Sequence, residues 1–174
     1  VCEARSGVGP ITRFDPKRLD SRIAGEVKGF EPLKVIEKKE LKKLDLFIQY
    51  ALVAGVEAVE DAKVDFTQIR ATRAGALVGS GIGGILSILE WHRVLLEKGP
   101  SRISPFFVPS LIVNMAAGQL SMRYKLKGPN SSVVTACATC AGGALESSRH
   151  GIAPAPQAPV SAAAISGEFR TRNS

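Results

Sequence analysis

The chain has 174 residues, a formal net charge of +7, 45% hydrophobic residues and three cysteines. That length buries one core, so one domain or part of a larger one is expected; no apolar run nears the roughly 20 residues of a membrane helix, and no signal-peptide pattern opens the chain. Cys2, Cys137 and Cys140 have no regular spacing, which argues against a disulfide scaffold and for a reducing, cytoplasmic setting. The positive charge points to an acidic partner, and with few aromatics and no nucleic-acid motif that partner is expected to be protein rather than RNA or DNA.

From the amino terminus, Gly7, Gly9, Pro10, Pro16, Gly25, Gly29 and Pro32 punctuate residues 1–35 and predict loops with a short extended piece near 22–27. From Lys38 to about Asp61, apolar residues recur at Leu41, Leu44, Phe47, Ile48, Ala51, Leu52, Val56 and Val59, the period of one amphipathic helix. Residues 74–78 predict a buried strand and 79–84 a glycine loop. A second helix follows from Ile85 to about Glu97, with Leu86, Leu89, Val94, Leu95 and Leu96 available to the core, and Gly99-Pro100 stops it. Ser110 to about Met122 predicts a third helix, in which Ala116, Ala117 and Gly118 permit close packing. Gly128-Pro129 then turns the chain into a strand over 131–135. Strands alternating with helices give an α/β class with a parallel sheet.

Val133-Val134-Thr135-Ala136-Cys137-Ala138-Thr139 runs a β-branched strand into a turn of small residues carrying a cysteine. A thiol at such an elbow faces the free N–H groups of the following helix, and small neighbours leave room for a substrate. Inert packing of a small buried cysteine is the competing reading. Cys137 and Cys140 also make a CxxC, the spacing of a thiol redox pair or half a zinc site, yet no second CxxC accompanies it and His92 and His150 complete no ligand pattern, so no metal is expected. Gly79, Gly81 and Gly84 satisfy GxGxxG, but no acidic residue ends a following strand, because Glu97 falls within the helix pattern; no dinucleotide cofactor is expected. Lys38, Lys39, Lys42 and Lys43 cluster at the predicted start of the first helix, where positive charge opposes the helix dipole, so a solvated face or a partner accounts for them.

Several motifs occur in one order: Ser21-Arg22-Ile23-Ala24-Gly25-Glu26-Val27, Phe47-Ile48-Gln49-Tyr50-Ala51, Gly79-Ser80-Gly81-Ile82-Gly83-Gly84, residues 102–109, Ile112-Val113-Asn114-Met115, Leu126-Lys127-Gly128-Pro129-Asn130, and the cysteine segment. Together they resemble the β-ketoacyl-acyl carrier protein synthases, the type II condensing enzymes of fatty acid synthesis, and most of all their synthase II class. The resemblance runs over roughly residues 6–139. It implies a thiolase-like layered α/β fold, of which this chain supplies most of the first half.

The resemblance further implies that Cys137 is the acyl-accepting nucleophile. Ile82 matches a gating position near the acyl pocket, Phe107 reaches the acyl channel across a dimer interface, and Lys39, Lys42 and Lys43 match the basic site that docks the acidic acyl carrier protein. Acyl and malonyl thioesters are the implied substrates, with no cofactor, and the intact family member is expected to be a homodimer. Cys137 would take an acyl group, and the carbanion from decarboxylated malonyl-carrier protein would attack it. The family's two assisting histidines and a second oxyanion donor come later in its sequence, so this chain is expected to be an inactive fragment. A non-catalytic remnant that binds carrier protein or dimerises is the alternative. From Cys140 the composition turns to alanine, serine, proline and arginine without period, where the family continues a helix, so residues 1–139 are expected as a partial domain and 140–174 as a disordered or out-of-frame tail.

Overall fold

The computed structural model describes residues 6–139. The Cys137–Cys140 pairing, His150 and the expected tail therefore lie outside the described residues, apart from Cys137 itself. None of the helices described is long and apolar enough to cross a membrane.

Two short strands, β1 (Val8–Pro10) and β2 (Ile23–Gly25), form an antiparallel hairpin. The sequence marks β2 but not β1, whose glycine and proline read as turn signals; side-chain bonding completes the unit. Glu26 accepts from the Thr12 hydroxyl at 2.6 Å, from the Thr12 N–H at 2.9 Å and from the Arg13 N–H at 3.2 Å. Arg13 in turn donates to the Tyr50 hydroxyl at 3.0 Å, which ties the hairpin to the helix beneath it.

The helix expected over 38–61 is two helices, α1 (Lys38–Leu41) and α2 (Leu46–Asp61). Asp45 makes the break: its backbone is extended (φ −62°, ψ 157°) and its carboxylate accepts from the Phe47 N–H at 3.1 Å, the geometry of an N-cap. Apolar period runs through the interruption, so periodicity alone hid the cap. The lysines accordingly stand on a separate short turn ahead of α2.

After α2 come β3 (Ala76–Gly79), α3 (Ile85–Lys98), α4 (Phe107–Leu111), α5 (Met115–Tyr124) and β4 (Asn130–Val133). β3 and β4 pair in parallel, Ala76 opposite Asn130 through Gly79 opposite Val133, with three helices in the crossover between them. The parallel α/β pattern read from the sequence is the one observed. α3 ends at Gly99, as Gly99-Pro100 predicts, but Gly99 takes φ 79° with an extended ψ of 172°, a positive-φ conformation that favours glycine and is not the left-handed helical cap.

The third predicted helix is also divided. Pro109 lies in the first turn of α4, where no N–H is required of it, and the carbonyl of Leu111 accepts from the Gly84 N–H at 3.0 Å, so α4 ends on the glycine loop before α5 begins.

Ile36, Ile48, Ala51, Leu52, Ala76, Val78, Ala116, Ala117 and Leu120 form the core. It is thin, and its closest crossing is α2 on α5: a Cβ added to Gly55 would stand 2.5 Å from Leu120 Cδ2. Fully buried Ala116 and Ala117 keep the same approach short. The leucines of α3 are not in this core. Leu86, Leu89, Leu95 and Leu96 are exposed, and α3 buries no residue. Helical periodicity identifies an apolar face but does not say what covers it.

Asp45 joins two helices. It is 6% exposed, and while one oxygen caps α2 the other accepts from the Ser87 N–H of α3 at 2.9 Å, supplying α3 with the cap that Gly84 has no side chain to make. Asp45→Ala is expected to cost about 2 kcal/mol in a denaturant titration of the full chain, with Asp45→Asn intermediate because an amide oxygen still accepts.

Glu26 gives a pH dependence. The Thr12 hydroxyl, then the Thr12 and Arg13 backbone N–H groups, hold its carboxyl below the ordinary 4.5. A carboxyl lowered on folding stabilises above its unfolded value, and that contribution disappears as pH falls through the lowered folded value. Thermal midpoints of wild type and Glu26→Gln should therefore differ at neutral pH and converge in acid.

Candidate active site

Parallel pairing brings the carboxyl ends of β3 and β4 side by side, the place where open α/β sheets bind ligands. From β3 emerges the glycine loop and from β4 the cysteine elbow. The Ser80 N–H donates to the Val133 carbonyl at 3.1 Å, continuing the ladder one residue past β3.

Cys137 sits in the middle of a single 3-10 turn, Ala136–Ala138, and is an exposed free thiol. Ala136 has φ +47°, a left-handed conformation that costs a non-glycine residue on the order of 1 kcal/mol. Thr139 maintains it. This side chain is 1% exposed; its hydroxyl donates to the Ala136 carbonyl at 2.7 Å and accepts from the Thr135 N–H at 3.1 Å. Its methyl group occupies the space that a side chain at Gly79 would need, so the last residue of β3 must be glycine for the elbow to close. In the sequence, Thr139 stands only as the end of the motif. A hydroxyl two residues after the cysteine, with a glycine ending the neighbouring strand, was the available signal.

The other loop glycines are explained by packing. Gly83 has φ +85°, and a Cβ on Gly84 would stand 2.5 Å from Leu111 Cα, so this loop lies directly against the end of α4. The Ser80 hydroxyl accepts from the Gly83 N–H at 3.1 Å and closes the turn. Ile82, at its tip, is 69% exposed.

Phe107 opens α4 half-buried, its ring 6.3 Å from that of Trp91 on α3. Its neighbour Phe106 lies under Lys43, whose Nζ is 5.0 Å from the ring centroid. The three lysines are not equivalent. Lys43 is partly covered and bonds Glu40 at 2.6 Å, whereas Lys39 and Lys42 are exposed and carry no ion pair among the described residues. The structure thus links the lysine turn to the start of α4 through Phe106, and α4 to the glycine loop through Leu111. His92 lies exposed on α3, and no group of three metal-ligating side chains occurs among the described residues.

Residues 1–153 match the family described as beta-ketoacyl synthase, N-terminal domain. The chain belongs to this family. Among curated relatives, 3-oxoacyl-[acyl-carrier-protein] synthase 2 of Vibrio harveyi is 47% identical over 139 residues, which cover 80% of this chain and 34% of the relative. The corresponding synthase of Staphylococcus aureus is 48% identical over 134 residues, covering 77% of this chain and 33% of the relative. The chain spans about a third of the length of those proteins.

Among solved structures, the ishigamide ketosynthase/chain length factor aligns with TM-score 0.69 at 28% identity, over 86% of this chain and 38% of its own. A beta-ketoacyl synthase from Burkholderia phymatum aligns with TM-score 0.53 at 23% identity, over 75% of this chain and 33% of its own. The ketosynthase, thiolase-like fold read from the motifs is the fold observed, in its N-terminal part.

Thr139→Val keeps the packing against Gly79 and removes both hydrogen bonds. It should lower stability by about 1–2 kcal/mol and change the rate at which iodoacetamide alkylates Cys137, followed by peptide mass mapping. An unchanged rate would show that the hydroxyl does not set the elbow.

Proposed function

We propose that this chain provides the acyl-accepting part of a β-ketoacyl-acyl carrier protein synthase of fatty acid synthesis, with Cys137 as nucleophile. The observation that carries the reading is an exposed thiol on a braced left-handed elbow at the carboxyl end of a parallel strand, beside a glycine loop. That arrangement presents sulfur to a substrate carbonyl without requiring the backbone to move.

In the transfer step the Cys137 thiolate attacks the carbonyl carbon of an acyl-carrier thioester. The carbon–sulfur bond to the carrier breaks, and the carrier leaves as a thiolate that takes up the proton Cys137 gave up on ionising. In the condensation, malonyl-carrier protein loses carbon dioxide, its carbanion attacks the new thioester, and Cys137 is released as thiolate. The described residues offer the nucleophile of the transfer step, which is the leaving group of the condensation; they offer no acid–base group assigned to decarboxylation.

Lys39 and Lys42 are the proposed contacts for an acidic carrier protein, supported by their exposure and free charge; Lys43 contributes less because Glu40 and Phe106 already engage it. Ile82 and Phe107 are the proposed acyl contacts, supported by the packing that joins their segments. A second synthase chain is the proposed cover for Phe106 and Val108, both exposed and apolar. A cytoplasmic setting is part of the same reading, supported by three cysteines without the regular spacing of a disulfide framework. Residues 1–139 are the proposed working domain.

The test is intact-mass spectrometry of the full chain after incubation with an acyl-carrier thioester. Wild type should gain one acyl group and Cys137→Ala none. Lys39→Gln with Lys42→Gln should weaken carrier binding by about tenfold at low salt, the difference fading as salt rises. Carrier binding without any acyl adduct on folded protein would favour the non-catalytic binding module, whose support is the same pair of free lysines.

A further inference from the structure

α3 carries the chain's single tryptophan. Within this helix only Ser87, Trp91 and Val94 are half-buried and every other side chain is exposed, so these three, about one turn apart, mark its inner face. The Trp91 ring lies 6.3 Å from that of Phe107 and is inclined to it by 58°, the geometry of a tilted aromatic pair. We propose that Trp91 is a positioning residue: by holding the Phe107 ring in place it sets how long an acyl chain the site accepts. The inference rests on the reading of Phe107 as an acyl contact above and adds a residue that acts on the chain only through that ring.

Both helices are fixed around this contact. One turn before Trp91, the Ser87 N–H donates to buried Asp45 at 2.9 Å, which sets the height of α3 against α2. One turn after Phe107, the Leu111 carbonyl accepts from the Gly84 N–H at 3.0 Å, and the Phe107 N–H itself donates to the Ser104 carbonyl at 3.0 Å. The glycine loop runs directly into α3, so the two proposed acyl contacts, Ile82 on the loop and Phe107 on α4, are joined through one helix whose inward ring is Trp91. A ring carried on backbone held at both ends can fix its neighbour's position.

Unfilled space adjoins the indole. A cavity of about 290 Å³ between α2, α3 and α4 has Leu86, Glu90, Trp91, Phe106 and Ser110 in its lining. Trp91 lines it and Phe107 does not, so the indole is shared between this space and the Phe107 ring. When a supporting side chain is cut back beside a void, its neighbour moves to regain lost dispersion contacts. Alanine at position 91 therefore lets Phe107 retreat and makes room for a longer chain, whereas the indole keeps the site short. Packing for stability alone would change the unfolding midpoint but not the ratio of rates for two substrates.

The experiment follows acylation of Cys137 in the full chain by peptide mass mapping, with hexanoyl- and hexadecanoyl-carrier thioesters, for wild type, Trp91→Ala, Phe107→Ala and the double variant, each checked for folding by circular dichroism. Trp91→Ala should raise the long-to-short rate ratio about tenfold and add nothing once Phe107 is replaced, as for residues that act through one contact. Trp91→Phe, a smaller ring in the same place, should raise it less and serves as the second variant if Trp91→Ala does not fold. A ratio moved by Phe107→Ala but not by either Trp91 variant overturns the inference and leaves the acyl-contact reading standing. An equal Trp91 effect with and without Phe107 also overturns it, and a ratio moved by neither residue overturns both. If the carrier transfers no acyl group, hexyl and hexadecyl methanethiosulfonates replace the thioesters; the Cys137 thiolate displaces methanesulfinate from them and forms a disulfide with no carrier present. The same set of ratios then upholds the positioning role while the transfer reading fails, and unchanged ratios overturn the role.

Discussion

The parallel pairing of β3 with β4 is the constraint on which the rest of the structure depends. Two short strands far apart in sequence must lie side by side, and their crossover has to contain α3, α4 and α5. Once they do, the glycine loop and the cysteine elbow leave the sheet from the same edge. The elbow's strained Ala136 is then tolerated because Thr139, wedged over Gly79 of the neighbouring strand, holds the turn from both sides. Strand pairing thus gives rise to the local geometry that makes Cys137 accessible.

A second level of organisation comes from carboxylates and carbonyls that serve two elements at once. Asp45 caps α2 and bonds the first turn of α3; the Leu111 carbonyl ends α4 by accepting from the glycine loop. Each saves a buried polar group from going unpaired and each sets one segment against another. Through them the lysine turn, the glycine loop and α4 have fixed relative positions although the core beneath is small. Their importance grows with that smallness, because few apolar contacts are present to do the same work.

Surface chemistry divides along similar lines. One side of the lysine turn is spent internally, with Lys43 on Glu40 and Phe106, while Lys39 and Lys42 stay available to a partner. Leu86, Leu89 and Leu96 of α3 are exposed apolar surface on a helix with no fully buried residue. In a chain spanning about a third of its relatives' length, the exposed face of α3 is a property of residues 6–139 as described.

Much of this was legible in the sequence. Ordered motifs identified the family, strand and helix alternation identified the parallel α/β class, and small residues around Cys137 identified the elbow, because local composition and period directly reflect backbone preference and burial. Tertiary structure alone decided that the Leu111 carbonyl ends α4 on the distant Gly84 N–H, and that Asp45, whose cap on α2 is local, also bonds Ser87 of α3. It alone decided that Thr139 braces the elbow against Gly79, that Lys43 differs from its neighbours, and that the leucines of α3 stay outside the core. Periodicity records that a side chain prefers burial; only the packed chain supplies the surface that buries it or leaves it exposed.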